Sequence, residues 1–226
     1  ILSAVIAIFV IVCLSVSALA EEETPTEYNN MVSLLMEGET GTVLQHNGGY
    51  EKVAQGTLNK LMTVLLTAEE IESGGLSIND VVTVSSNANA QTGAVVWLMP
   101  GEEITIEELL KSVIIGNAND ASVALAEIVG GNEEEFTGMM NARAFELGMR
   151  NTVFKNPAGY DCAGQYSTPY DMALLCRELL KHEFLYKIMN TWIDRVRGGQ
   201  TEIVNENRLV RTYEGVIGLK ASHTEA

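Results

Sequence analysis

Basic residues are scarce in this sequence: 14 lysines and arginines stand against 30 acidic side chains in 226 residues, a formal net charge of −16. Such a surface excludes nucleic acid as a partner, because phosphates need cations, and excludes docking on anionic lipid headgroups. The three histidines, His46, His182 and His223, share no ligand spacing, so neither a metal nor a cofactor is expected. Three cysteines in a chain this long are too few for a disulfide scaffold. Cys13 lies in the first apolar run. Cys162 and Cys176 can pair in an exported protein, but the apolar helical pattern around Cys176 favours a buried thiol. Internal repeats and low-complexity segments are also missing. What the chain does have is apolar content, 46% against 19% charged, which is enough to build a core and excludes wholesale disorder.

Residues 1–20 carry no charge, end in Ala18-Leu19-Ala20, and are followed by Glu21-Glu22-Glu23. This pattern predicts a partial signal peptide over 1–20 with cleavage after Ala20, in preference to an uncleaved membrane anchor. An acidic linker follows over 21–30, and one domain is expected over 31–226. Two short apolar runs, Met31–Met36 and Thr42–Leu44, flank a glycine turn and predict a β-hairpin. The stretch Leu58–Ala68 is apolar almost all round and stops at Ser73-Gly74-Gly75, as a buried central helix would.

Thr105-Ile106-Glu107-Glu108 is a capping box opening a helix that stops near Gly116. Asn119 or Asp120 can cap a run to Val129. A helix over Asn132–Leu147 has Gly148 at its C′ position, and Thr168-Pro169 leads into a helix over Tyr170–Leu180. The acidic run Glu133-Glu134-Glu135 suits a helix start. The tail Thr201–Ala226 reads as strands, and Trp97 and Trp192 read as core. The fold class is α+β.

Three short elements carry the chemistry: Thr57-Leu58-Asn59-Lys60, Asn117-Ala118-Asn119 and Lys220-Ala221-Ser222. A hydroxyl at i and a lysine at i+3 meet on one face, and a lysine kept neutral by burial can take the hydroxyl proton. The flanks add Leu35-Met36-Glu37, Thr40-Gly41-Thr42, Asn119–Glu127, Asn156-Pro157-Ala158-Gly159, Tyr166-Ser167-Thr168 and Gly215–Leu219. In their order and separations these elements resemble the D-Ala-D-Ala carboxypeptidases of the penicillin-binding superfamily, the S11 serine peptidases, marked by Ser-x-x-Lys, Ser-x-Asn and Lys-Thr-Gly. The resemblance runs from about Met31 to Ala226.

The resemblance implies a β-lactamase/transpeptidase-like fold, an antiparallel sheet packed with a helical cluster, whose C-terminal strands lie beyond Ala226. It implies an exported enzyme of the cell envelope that removes the terminal D-Ala of peptidoglycan stem peptides through an acyl-enzyme. Thr57, Lys60 and Asn119 would be catalytic. Lys220, Asn117, Ala221, Ser222 and His223 would bind substrate, with the Thr57 and His223 amides forming the oxyanion hole. β-Lactams enter as further ligands, and membrane association enters through a region beyond Ala226.

All three motifs depart from the family pattern. Thr57 stands for the serine, Asn117 for the relay hydroxyl, and Ala221-Ser222 for Thr-Gly, while no serine lies three residues before any of the seven lysines. Bland readings stay open beside the functional ones: Thr57 as a helix cap, Asn117 as a loop residue, Lys60 as an ordinary partly buried lysine. Three functions therefore remain: a carboxypeptidase, an inactive relative that binds wall peptides or a partner protein, and a β-lactamase.

Overall fold

The apolar stretch after Thr57 becomes helix α1 (Lys60–Ser73), entered through a 3-10 turn over Gly56–Asn59 and closed by Gly74 in the left-handed conformation. Its residues from Lys60 to Ala68 are buried without interruption. This computed structural model describes residues 31–220. The expected signal segment, the linker, and Ala221, Ser222 and His223 lie outside the described residues.

Ahead of α1, strands β1 (Ser33–Met36) and β2 (Val43–Asn47) form the expected antiparallel hairpin, with a register shift between Leu35 and Met36. Two more antiparallel pairs follow: β3 (Val81–Thr83) with β4 (Glu103–Thr105), and β5 (Ile193–Val196) with β6 (Thr201–Val204). Between them come α2 (Ser86–Asn89), α3 (Ile106–Ile114), α4 (Asn119–Gly130), α5 (Glu133–Glu146), α6 (Pro169–Leu179) and α7 (Tyr186–Met189). A last helical turn, α8 (Leu209–Thr212), falls where the sequence predicts strand. The Asn207 side chain accepts the Leu209 N–H (3.2 Å) and turns the chain there. The strand reading also fails after Gly215, where positive φ at Gly218 (99°) and Leu219 (67°) interrupts extended backbone.

Caps fix the helix starts much as the sequence predicts. Thr105 accepts Glu108 N (3.2 Å), Asn132 accepts Glu135 N (2.9 Å) and Thr168 accepts Asp171 N (3.1 Å). Helix α4 is different: its N-cap is Ala118, which makes no side-chain cap bond. Its small residues Ala121, Ser122, Ala124 and Ala126 are buried and let α1, α2, α3 and α5 approach closely. Together α1 and α4 form the middle of the core, and their N-terminal ends carry Lys60 and Asn119. Cys162 is exposed and Cys176 half-buried, both as free thiols, and burial pushes the Cys176 thiol up to about 11.

Candidate active site

Lys60 sits at the first position of α1 with no exposed surface. Its Nζ donates to Asn119 Oδ1 (2.7 Å) and to the Ala158 carbonyl (2.5 Å). Burial, then the nearby Lys220 ammonium, pulls its pKa from 10.5 to about 7, while Glu206 and Asp120 pull the other way. A neutral amine has two N–H donors and one lone pair. The two donors are satisfied by Asn119 and Ala158, so the lone pair remains for a third partner.

Thr57 lies in the 3-10 turn, partly buried, and the Lys60 N–H bonds back to the Thr57 carbonyl. Side chains at i and i+3 of such a turn eclipse each other, so hydroxyl and amine share one face. The N-cap positions of the turn and of α1 are held by Gln55 and Asn59, neither of which makes a side-chain cap bond.

The Asn156-Pro157-Ala158-Gly159 loop makes the lysine's second acceptor. Asn156 Oδ1 accepts the amides of Gly159 (2.6 Å) and Tyr160 (2.9 Å), and Nδ2 donates to the Tyr160 carbonyl (2.9 Å). Thr63 Oγ1 donates to the Pro157 carbonyl (2.9 Å), which aims the next carbonyl at Lys60. Gly159 (φ 85°) is indispensable here, since a Cβ would fall 2.2 Å from the Gly56 carbonyl oxygen and 2.8 Å from Thr57 Cα. A cavity of about 340 Å³ adjoins the same turn, lined by Gln55, Gly56, Asp161, Cys162 and Gln165 among others.

Asn119 is held from three sides. Besides Lys60, its Nδ2 donates to the Thr92 carbonyl (2.6 Å) and its backbone N–H to the Ala94 carbonyl (2.7 Å). The next residue, Asp120, is buried, and its carboxylate accepts Val96 N (3.1 Å), Leu98 N (3.1 Å) and Ala121 N (2.9 Å). This clamp forces Trp97, between its two anchored neighbours, into the left-handed region (φ 61°) with 66% of its surface exposed. The core reading of Trp97 is thereby overturned. Trp192 is half-buried.

Asn117 also has positive φ (56°), a conformation asparagine tolerates better than most residues. It is buried, its Nδ2 donates to Glu206 Oε2 (3.3 Å), and its Oδ1 has no protein partner. Lys220 is partly buried, and burial lowers its pKa to about 8 against the opposing pull of Glu206. The structure thus joins Lys60 to Asn119 by a hydrogen bond, sets Thr57 one turn ahead of Lys60, puts Lys220 in electrostatic reach of Lys60, and bonds Asn117 to Glu206. Glu206 is the group that motif reading missed, since no spacing rule marks it. Among the described residues no cluster of His, Cys, Asp and Glu could hold a metal ion, and no helix is long and apolar enough to cross a membrane.

Comparison with known proteins decides the family. The sequence profile of D-alanyl-D-alanine carboxypeptidases matches residues 19–226. The chain belongs to the D-alanyl-D-alanine carboxypeptidase family. It is 43% identical over 195 residues to the D-alanyl-D-alanine carboxypeptidase DacF of Bacillus subtilis, covering 85% of this chain and 50% of that protein. Among solved structures, penicillin-binding protein 5 of Haemophilus influenzae superposes with a TM-score of 0.81 at 28% identity, over 85% of this chain and 57% of that one. The carboxypeptidase DacD of Francisella tularensis gives 0.80 at 26% identity, over 86% and 60%. The α+β fold is therefore that of the penicillin-binding carboxypeptidases, and the chain spans about half the length of the curated relatives it matches.

Proposed function

We propose that this chain carries the catalytic domain of an exported D-Ala-D-Ala carboxypeptidase that trims peptidoglycan stem peptides through an acyl-enzyme. The observation that supports it most is Lys60: buried, held at about 7, with the two donors of its neutral amine bonded to Asn119 and Ala158, and one turn after the Thr57 hydroxyl. In this reading the Lys60 amine takes the Thr57 hydroxyl proton as Thr57 attacks the peptide carbonyl. Asn119 fixes the amine, and Lys220 receives the terminal carboxylate of the substrate. Ala221, Ser222 and His223 continue the substrate edge, with the amides of Thr57 and His223 stabilising the oxyanion. The uncharged segment 1–20 supports export to the outer face of the cytoplasmic membrane. The names of the solved relatives, penicillin-binding proteins, support β-lactams as further ligands.

A specific observation favours a second reading, a wall-peptide or partner-binding relative without turnover. Asn117 supplies no hydroxyl for proton relay, and its amide is engaged by Glu206. The two readings separate on labelling by a fluorescent penicillin. The carboxypeptidase reading expects covalent labelling of the full-length protein that Thr57→Ala abolishes. Peptide binding with no label on either protein leaves the second reading, and rapid hydrolysis of the penicillin without retained label marks a β-lactamase.

A further inference from the structure

Glu206 is an acidic group set among lysines, and its position is built rather than incidental. Asn205, buried, donates from Nδ2 to the Thr191 carbonyl (3.1 Å) and from its backbone to the Trp192 carbonyl (2.9 Å). Asn207 donates from its backbone to Asn205 Oδ1 (2.9 Å) and from Nδ2 to the Gly218 carbonyl (3.2 Å). Gly218 is itself seated against Met189, where a Cβ would fall 2.2 Å from the carbonyl oxygen. The turn bearing Glu206 and the segment bearing Lys220 are thus fastened to the same piece of backbone. Between its two anchored neighbours, Glu206 presents its carboxylate to Asn117 Nδ2 (3.3 Å) and interacts electrostatically with both Lys220 and Lys60. Asp120, the other carboxylate that acts on Lys60, is buried and consumed by backbone amides, whereas Glu206 is exposed to an incoming ligand.

We propose that Glu206 is a specificity-determining residue: a built-in counter-anion of Lys220 that competes with the terminal carboxylate of an incoming peptide. The site then binds carboxylate-ended ligands more weakly than its lysines alone would, and discriminates less sharply between such ligands and their neutral amides. A like charge beside the carboxylate subsite repels the ligand, while its through-space attraction to Lys220 is weakened when the ligand's carboxylate takes its place. Because Glu206 is exposed, solvent screens the effect and keeps it modest. This inference rests on the reading that Lys220 receives the substrate carboxylate.

The test is calorimetric titration of the full-length protein, wild type, Glu206→Gln and Glu206→Asp, with N-acetyl-D-alanyl-D-alanine and with its C-terminal amide. At pH 6 the Lys220 ammonium of the wild type, held at about 8, is protonated, so charge competition is read rather than proton loss. Glu206→Gln is expected to bind the carboxylate dipeptide about three- to tenfold more tightly. Its affinity for the amide should stay within about twofold, and Glu206→Asp should remain near wild type, because it keeps the charge. Equal or weaker binding of the carboxylate dipeptide by Glu206→Gln overturns the inference. So does equal tightening for both ligands, or no binding of the carboxylate dipeptide by any of the three proteins. Failure of penicillin to label Thr57 while these affinities hold counts against turnover alone.

Discussion

The two lysines of the cleft are kept in opposite ways. Lys60 is sealed between α1, α4 and the loop over residues 156–159, with each donor given one fixed acceptor. Lys220 is partly buried on irregular backbone after Leu219, and an exposed carboxylate, Glu206, is its electrostatic partner. A dry, fully bonded amine can be poised as a base, whereas a partly wet ammonium facing an anion can exchange one carboxylate for another. Proton transfer needs the first arrangement, and ligand capture needs the second.

The largest change expected follows from restoring the motifs across both halves. Full-length protein carrying Thr57→Ser, Asn117→Ser, Ala221→Thr and Ser222→Gly together should be acylated by penicillin on the order of 10²–10⁴ times faster than the natural sequence, which should label slowly or not at all. Thr57→Ser alone should recover less, since groups of this kind act as a unit. Stopped-flow or gel-based labelling measures both. A well-folded quadruple variant that does not label removes the latent-enzyme reading.

The sealed half can be broken structurally at Asp120. Replacement by alanine leaves the amides of Val96, Leu98 and Ala121 without their acceptor inside the core and should cost about 3–5 kcal/mol. Urea unfolding checks this, and a loss under about 1 kcal/mol would show that the clamp matters little.

The contrast between the lysines should also appear in the pH dependence of stability. Folding lowers the Lys60 pKa from 10.5 to about 7, so between those values the folded chain binds fewer protons than the unfolded chain. Its stability therefore rises with pH across that window and is least below 7. Relative to Lys60→Met, the wild type should gain about 2 kcal/mol between pH 7 and pH 9. Lys220→Met should show a smaller difference over the same range, its pKa being lowered less, to about 8. Equal differences for the two variants would erase the distinction drawn between them.

Local signals carried most of the secondary structure. The caps at Thr105, Asn132 and Thr168, and the glycine stop after Ser73, are side-chain and backbone events within four residues of one another, so the sequence shows them directly. The motif lysine and asparagine were also legible, although 59 positions separate them, because the family pattern links them. Trp97 was misread because its exposure is dictated by Asp120, more than twenty positions away, against the ring's own hydrophobicity. Asn205 and Asn207 fasten to backbone carbonyls, which have no residue identity, so the placement of Glu206 left no trace in the pattern. The strand-like runs of the tail hold at Thr201–Val204, but beyond them positive φ at Gly218 and Leu219 and the Asn207 bond to Leu209 redirect the chain.

Asn119 and Asp120 are consecutive residues that both grip the wall over residues 92–98, and Asn119 also holds the Lys60 amine. A single helix end is therefore the corner post of two surfaces. Reshaping that wall to admit a bulkier ligand pulls on the post through Asp120 and through the Thr92 and Ala94 carbonyls, and so disturbs the amine that Asn119 holds. Enlarging the cleft from that side and preserving its base are opposing demands. Variation in ligand preference is accommodated at lower cost at Glu206, which makes no bond to Asn119 or Asp120.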